Sequence, residues 1–156
     1  MVKRIEGRLD ARGMKVAIVA SRFNEFLTEH LVAGAHDCLL RHGADAEDLM
    51  DIMVPGSYEL PLVAKQAASS GRYDAVVCLG AVIRGGTPHF EYIAGETAKG
   101  IAQVGLDTGV PVVFGVLTTD TLEQAIERSG TKSGNKGWEA ALGAIELVDL
   151  RRQLEA

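Results

Sequence analysis

The hydrophobic pattern alternates between two kinds of segment along the whole chain. Short, continuous apolar runs rich in β-branched residues are of the kind that forms strands buried on both faces. Between them lie longer stretches with apolar residues at helical spacing. The first run is 14–20 (MKVAIVA). The second is 49–54, closed by Pro55-Gly56, the third is 75–79, and the fourth is 112–117. After the first run, Leu27, Leu31, Ala35, Cys38 and Leu39 keep helical spacing, and Gly43 behind His42 is a C-terminal stop. Further helices are predicted over 59–69, ending at Gly71, and over 88–106, ending before Gly109 and Pro111. A helix reaching Arg128 is followed by a last one over 138–154. Residues 2–6 are predicted to make a short strand, followed by a polar connection over 7–13. Strand and helix in strict alternation call for right-handed crossovers, a parallel sheet and helices on both faces. The expected fold is therefore an α/β, three-layer αβα sandwich with a four-stranded parallel sheet in the flavodoxin-like order 2-1-3-4. No repeat, low-complexity tract or linker divides the 156 residues, so one domain is expected.

Composition narrows the partners. The chain is 47% hydrophobic and 24% charged with a net charge of −5, which gives no electrostatic case for nucleic acid. No apolar run approaches the ~18 residues of a membrane span, and the first ten residues lack the apolar core of a leader. A cytoplasmic protein is expected. Cys38 and Cys78 lie in apolar stretches without metal-binding spacing, so buried free thiols are expected rather than a disulfide framework or a zinc site.

In open parallel sheets ligands bind beyond the carboxyl ends of the strands. All four predicted ends carry unusual residues: SRFNE, PGSYE, GAVIRGGTPH and TTDT. The third is the richest. Gly85 and Gly86 allow close backbone approach, Thr87 suits a helix N-cap and Pro88 the first helical position. The free N–H groups of such a helix start favour an oxyanion or phosphate. His89 follows, with an ordinary pKa near neutrality. Phe23 is either a staple for the helix behind it or a platform for a flat heterocycle. Glu59 either complements a helix dipole or binds hydroxyl groups, and Arg84 either contacts phosphate or makes a structural ion pair. His30, His36 and His42 lie six apart on one helix, cannot share a face, and are expected at the surface. GTKSGNKG is not a phosphate-binding Walker loop, because Asn135 replaces its second glycine and no Ser or Thr follows Lys136. Arg128, Lys132 and Lys136 are either a solvated basic surface or part of a neighbour's site. At ~1.5 Å per residue, Arg128 lies roughly 9 Å down its helix from the carboxyl edge of its own sheet.

These motifs, taken in order, resemble the 6,7-dimethyl-8-ribityllumazine synthase family. The resemblance runs from RFN at 22–24 through VPGSYELP at 54–61 and GAVIRGGTPHFEY at 80–92 to FGVLTTDTLEQAIERSGTKSGNKG at 114–137. It implies condensation of 5-amino-6-(D-ribitylamino)uracil with 3,4-dihydroxy-2-butanone 4-phosphate, releasing phosphate and water, without metal or cofactor. It further implies that Phe23 stacks on the pyrimidine, with Asn24 beside it, and that Ser57, Tyr58 and Glu59 bind the ribityl side. Ala81, Val82 and Ile83 would line the ring pocket, Gly86 and Thr87 would cradle phosphate, and His89 would transfer protons. Phe114, Arg128 and Lys136 would come from the adjacent subunit, with Arg128 on the phosphate. Glu139 would tune His89. Ser57 stands where many relatives have alanine. The implied assembly is a homopentamer with sites between neighbours. A sixty-subunit shell is the favoured further assembly, with strand 2–6 available to a neighbour's sheet. The competing readings are a riboflavin synthase of the same fold and a non-catalytic flavin- or lumazine-binding or shell-forming protein.

Overall fold

The computed structural model describes residues 1–86, 88–130 and 134–156. Thr87 and Lys132, singled out above, lie outside the described residues. The strands are β1 (Val16–Ser21), β2 (Leu49–Val54), β3 (Ala75–Ile83) and β4 (Val112–Thr119), all parallel, in the order β2-β1-β3-β4. The helices are α1 (Glu25–Arg41), α2 (Leu60–Ser69), α3 (His89–Thr108), α4 (Leu122–Arg128) and α5 (Lys136–Glu155).

The strand alternation sorts the sheet into two cores. Val16, Ile18, Ala20, Val77, Leu79 and Ala81 face α1 and α5, where Leu27, Leu31, Leu39, Ala141 and Ile145 are fully or almost fully buried. Ala17, Val19, Val76, Cys78 and Val82 face α2 and α3, meeting Leu60, Ala64, Ile101 and Val104. The helices therefore form the two outer layers of an αβα sandwich. β1 is buried along its full length and so is all of β3 but its last residue, as central strands of a parallel sheet must be. Edge strand β2 leaves Met50 and Met53 partly exposed.

Most boundaries shift by one or two residues from the sequence expectation, and three of the departures have a clear cause. β3 does not end at Leu79 but continues through Gly80 to Ile83, because β4 pairs with it that far, from Val76↔Val112 to Ile83↔Thr119. Gly80 is a packing glycine instead: a Cβ there would stand 2.6 Å from Ser57 Oγ. The α2 segment opens with a short 3-10 turn, Ser57–Glu59, and α5 starts two residues early, at Lys136, because Asn135 caps it. Residues 2–6 form no strand within the chain. The backbone following them is held by α5 instead: Gln153 Nε2 donates to the Glu6 carbonyl at 2.7 Å, and Arg8 N–H donates to Asp149 Oδ2 at 2.9 Å.

Both cysteines are free and buried, and burial raises the thiol pKa to about 11 at Cys38 and about 12 at Cys78. Of the three α1 histidines only His30 is exposed. His36 and His42 are half-buried: His36 Nε2 lies 2.8 Å from Asp51 Oδ1, and His42 Nδ1 lies 2.6 Å from the Cys38 carbonyl, with its ring edge-on to Trp138. The surface expectation fails for these two because α1 carries partners on more than its core-facing side. Among the described residues no helix is long and apolar enough to cross a membrane, and no cluster of three His, Cys, Asp or Glu could hold a metal ion.

Candidate active site

The carboxyl ends of β1, β2 and β3 converge on one cleft of about 490 Å³. Each wall has a local reason for its shape. The segment after β1 is held at both sides: Arg22 N–H donates to the Val54 carbonyl at 2.8 Å, and Phe23 N–H to the Pro55 carbonyl at 3.1 Å. Asn24 then turns the chain into α1 with φ 62°, the one non-glycine residue with positive φ among the described residues. Asparagine tolerates the left-handed region better than most residues. Its Nδ2 donates to the Ala81 carbonyl at 3.2 Å, and its own carbonyl accepts from Leu27 and Thr28 to begin the helix. The result is that Phe23 stands 69% exposed at the cleft, although it is a large apolar side chain.

The second wall is the turn Ser57–Glu59. Ser57 is buried against Gly80, and its carbonyl accepts from Thr97 Oγ1 at 3.2 Å, which ties the turn to α3. Tyr58 and Glu59 project to the cleft. The floor is the end of β3, with Ala81, Val82 and Ile83, and the third wall is the start of α3, with exposed His89 beside Phe90 and Ile93. Among the described residues no side chain caps the α3 N-terminus. Its first N–H groups therefore face the loop that contains Gly85 and Gly86. Gly86 lies in an adjoining depression with Arg84, Gly85, Pro88, Glu91 and Tyr92. Phe90, Ile93 and Gly56 line the cleft without having been singled out as site residues from the sequence, and Gly85 joins them as expected of a close-approach glycine. The signal for the first two was their position one and four residues after His89, on the first turn of the same helix.

Arg84 resolves to the structural alternative. Its guanidinium pairs with Glu91 and, at 2.8 Å, with Asp120 Oδ1, and it lies 4.5 Å over the Phe90 ring. These hydrogen bonds, Asp120's first, raise the guanidinium pKa, and Arg84 holds the Glu91 carboxyl below its ordinary value. The cation thus ties the end of β3 to the first turn of α3 and to the β4–α4 loop.

Of the expected site residues, Phe23, Asn24, Ser57, Tyr58, Glu59, Ala81, Val82, Ile83 and His89 share this cleft. Phe114, Arg128 and Lys136 do not. Phe114 sits half-buried on edge strand β4, beside Cys78 and against the α2–α3 core. Arg128 and Lys136 line a second cleft of about 350 Å³ with Gly134, Asn135 and Glu139. Among the described residues neither cation forms an ion pair. The separation follows from α4, which starts at the carboxyl edge and carries Arg128 away from it in seven residues. Glu139 keeps company with these cations rather than with His89 of its own chain.

Residues 13–152 match the model of a family described as 6,7-dimethyl-8-ribityllumazine synthase. A protein of Syntrophus aciditrophicus (strain SB), named 6,7-dimethyl-8-ribityllumazine synthase, is 64% identical over 149 residues, covering 96% of this chain and 97% of its own length. The chain belongs to the 6,7-dimethyl-8-ribityllumazine synthase family.

Proposed function

We propose that the protein condenses 5-amino-6-(D-ribitylamino)uracil with 3,4-dihydroxy-2-butanone 4-phosphate to 6,7-dimethyl-8-ribityllumazine, as its family name indicates. The observation that carries this reading is one cleft that holds an exposed aromatic platform, a polar turn and a histidine at the start of a helix. Phe23 stacks on the pyrimidine with Asn24 at its side. The Ser57–Glu59 turn takes the ribityl hydroxyls, and the β3 end lines the ring pocket with main-chain groups. Gly86, Thr87 and the α3 N-terminus receive the phosphate. That anchors the small substrate and stabilises the departing anion. His89 transfers protons during imine formation, phosphate loss, ring closure and dehydration, and holding both substrates together supplies much of the acceleration.

The second cleft completes the site from another copy. Arg128 meets the phosphate, with Lys136 and Phe114 beside it, in a homopentamer whose sites lie between adjacent subunits. The separation of the two clefts on one chain supports this arrangement, as do the unpaired cations. So does an apolar groove at the opposite end of the sheet, where Leu106 and Leu154 are exposed. Pentamers assembling into a sixty-subunit shell is the further state we favour, and light scattering reads it directly.

The test is to mix the purified protein with both substrates and follow lumazine absorbance. A rate no higher than the spontaneous reaction overturns the synthase reading and leaves the dismutating or non-catalytic alternatives. At the residue level, Arg128→Ala should raise KM for the butanone phosphate by at least about tenfold, the value of one charge-assisted contact. The uracil KM should hardly move. Equal losses for the two substrates would remove Arg128 from the phosphate.

A further inference from the structure

One side chain, Asn135, fastens the end of α4 and the start of α5 to α1. Asn135 Oδ1 accepts from Trp138 N–H at 3.0 Å, which caps α5. Its Nδ2 donates to the His30 carbonyl at 2.9 Å and to the Ser129 carbonyl at 3.0 Å. One amide therefore joins the main chain of α1, of the residue closing α4 and of the first turn of α5. Serine, threonine and aspartate also cap helices, yet of the usual polar capping residues only asparagine carries both this acceptor and two N–H donors.

The surroundings are shaped to that amide. A Cβ at Gly34 would stand 2.3 Å from Asn135 Oδ1, and one at Gly130, where φ is +96°, would stand 2.9 Å from Nδ2. Gly137 brings α5 equally close to α1, since a Cβ there would lie 2.0 Å from the Leu31 carbonyl oxygen. Two of these glycines thus make room for the Asn135 amide, and the third lets α5 approach α1 beside it. Ser129, which pairs with Asn135 as an isolated bridge, is buried. Arg128 immediately precedes Ser129, and Lys136 immediately follows Asn135. Fixing 129 against 135 fixes the backbone origin of both cations in the second cleft.

We infer that Asn135 is a positioning residue: it docks the α4–α5 connection on α1 so that Arg128 and Lys136 present their charges into one cleft. The inference rests on the proposed use of that cleft for the substrate's phosphate. Without the lock, two long flexible side chains lose more conformational freedom when they converge on an anion, so binding of that anion weakens while the rest of the site is unchanged.

Asn135→Ser separates the lock from the cap, because the hydroxyl still accepts from Trp138 N–H while both Nδ2 bonds are gone. Its KM for the butanone phosphate should rise about tenfold, with the uracil KM within about twofold of the parent and the melting temperature nearly unchanged. Gly34→Ala should reproduce the same split from a helix position that lines neither cleft. Alanine there favours the helix, so a loss cannot come from a weakened α1. Equal KM changes for the two substrates, or no change in either variant, would overturn the inference. Hydrogen exchange reads the lock without catalysis: the Ser129 and Gly130 amides, which close the end of α4, should exchange at least about tenfold faster in Asn135→Ser, with the still-capped Trp138 amide and the β3 amides unaffected. If the parent protein makes no lumazine, the proposed function falls by itself, and unchanged exchange at the Ser129 and Gly130 amides would then overturn the lock separately.

Discussion

Gly80 shows how much one missing side chain decides. In the sequence it reads as the end of a strand, since glycine is poor inside a β-strand. In the structure it lies within β3, and the space above it holds the Ser57 hydroxyl, with Ser21 Oγ 3.1 Å from where a Cβ would be. The glycine lets the Ser57–Glu59 turn lie directly on the sheet, and that sets the height of Tyr58 and Glu59 over the cleft. Gly80→Ala should therefore destabilise the protein by about 1–3 kcal/mol, the usual cost of overpacking a core. It should also weaken uracil binding. Adding Ser57→Ala removes the atom that the new methyl meets first, and should recover part of both losses in thermal melts and in KM. A double variant no better than Gly80→Ala alone would show that Ser57 is not the conflict. Asn24 is a similar case. Its place in RFN marked it as a site residue, but only the fold shows its left-handed backbone and its bond to Ala81, which together present Phe23.

At the scale of elements, the two helices that follow the catalytic edge begin differently. Among the described residues α3 has no side-chain cap, whereas α4 is closed by a full capping box. Thr121 Oγ1 accepts from Gln124 N–H at 3.1 Å, and Gln124 Oε1 accepts from the N–H groups of Asp120 and Thr121 at 2.9 and 3.3 Å. A helix of only seven residues needs such help, because a short isolated helix is marginal in water. Thr121→Ala should cost about 1 kcal/mol at that end. Faster hydrogen exchange at the α4 amides, with those of α1 unchanged, is the expected readout. A uniform change through the chain would mean that the cap supports the whole fold rather than the helix that carries Arg128. Arg84 works at this scale too. It was ambiguous in sequence because an arginine next to a helix start suits an anion or a carboxylate equally well. Its partners Glu91 and Asp120 are 7 and 36 residues away, so only the sheet order brings the second one near.

For the whole molecule, the two clefts on one chain carry complementary halves of the proposed site. Variants His89→Ala and Arg128→Ala each damage one half and leave the other intact. Unfolding the two together and refolding them as a mixture should restore activity, with about a quarter of sites rebuilt under random mixing in a closed ring. A mixture as inactive as its components would place the whole site within one chain. The apolar groove bounded by Leu106, Leu147 and Leu154 lies away from both clefts, at the amino ends of the strands, and belongs to assembly rather than chemistry in this reading.

By itself the sequence determined the sheet, its helical layers and nine residues of one cleft. Short apolar runs rich in β-branched residues and bounded by turn residues form strands buried on both faces, and parallel strands gather the loops after them at a single edge. Tertiary structure decided what depends on approach between distant segments. It carried β3 past Gly80, separated Arg128 and Lys136 from His89, engaged Arg84 with two carboxylates, and seated Asn135 in the space left by Gly34 and Gly130. Local pattern reports which face of an element is buried. It does not report which atom of another element fills the gap that a glycine leaves.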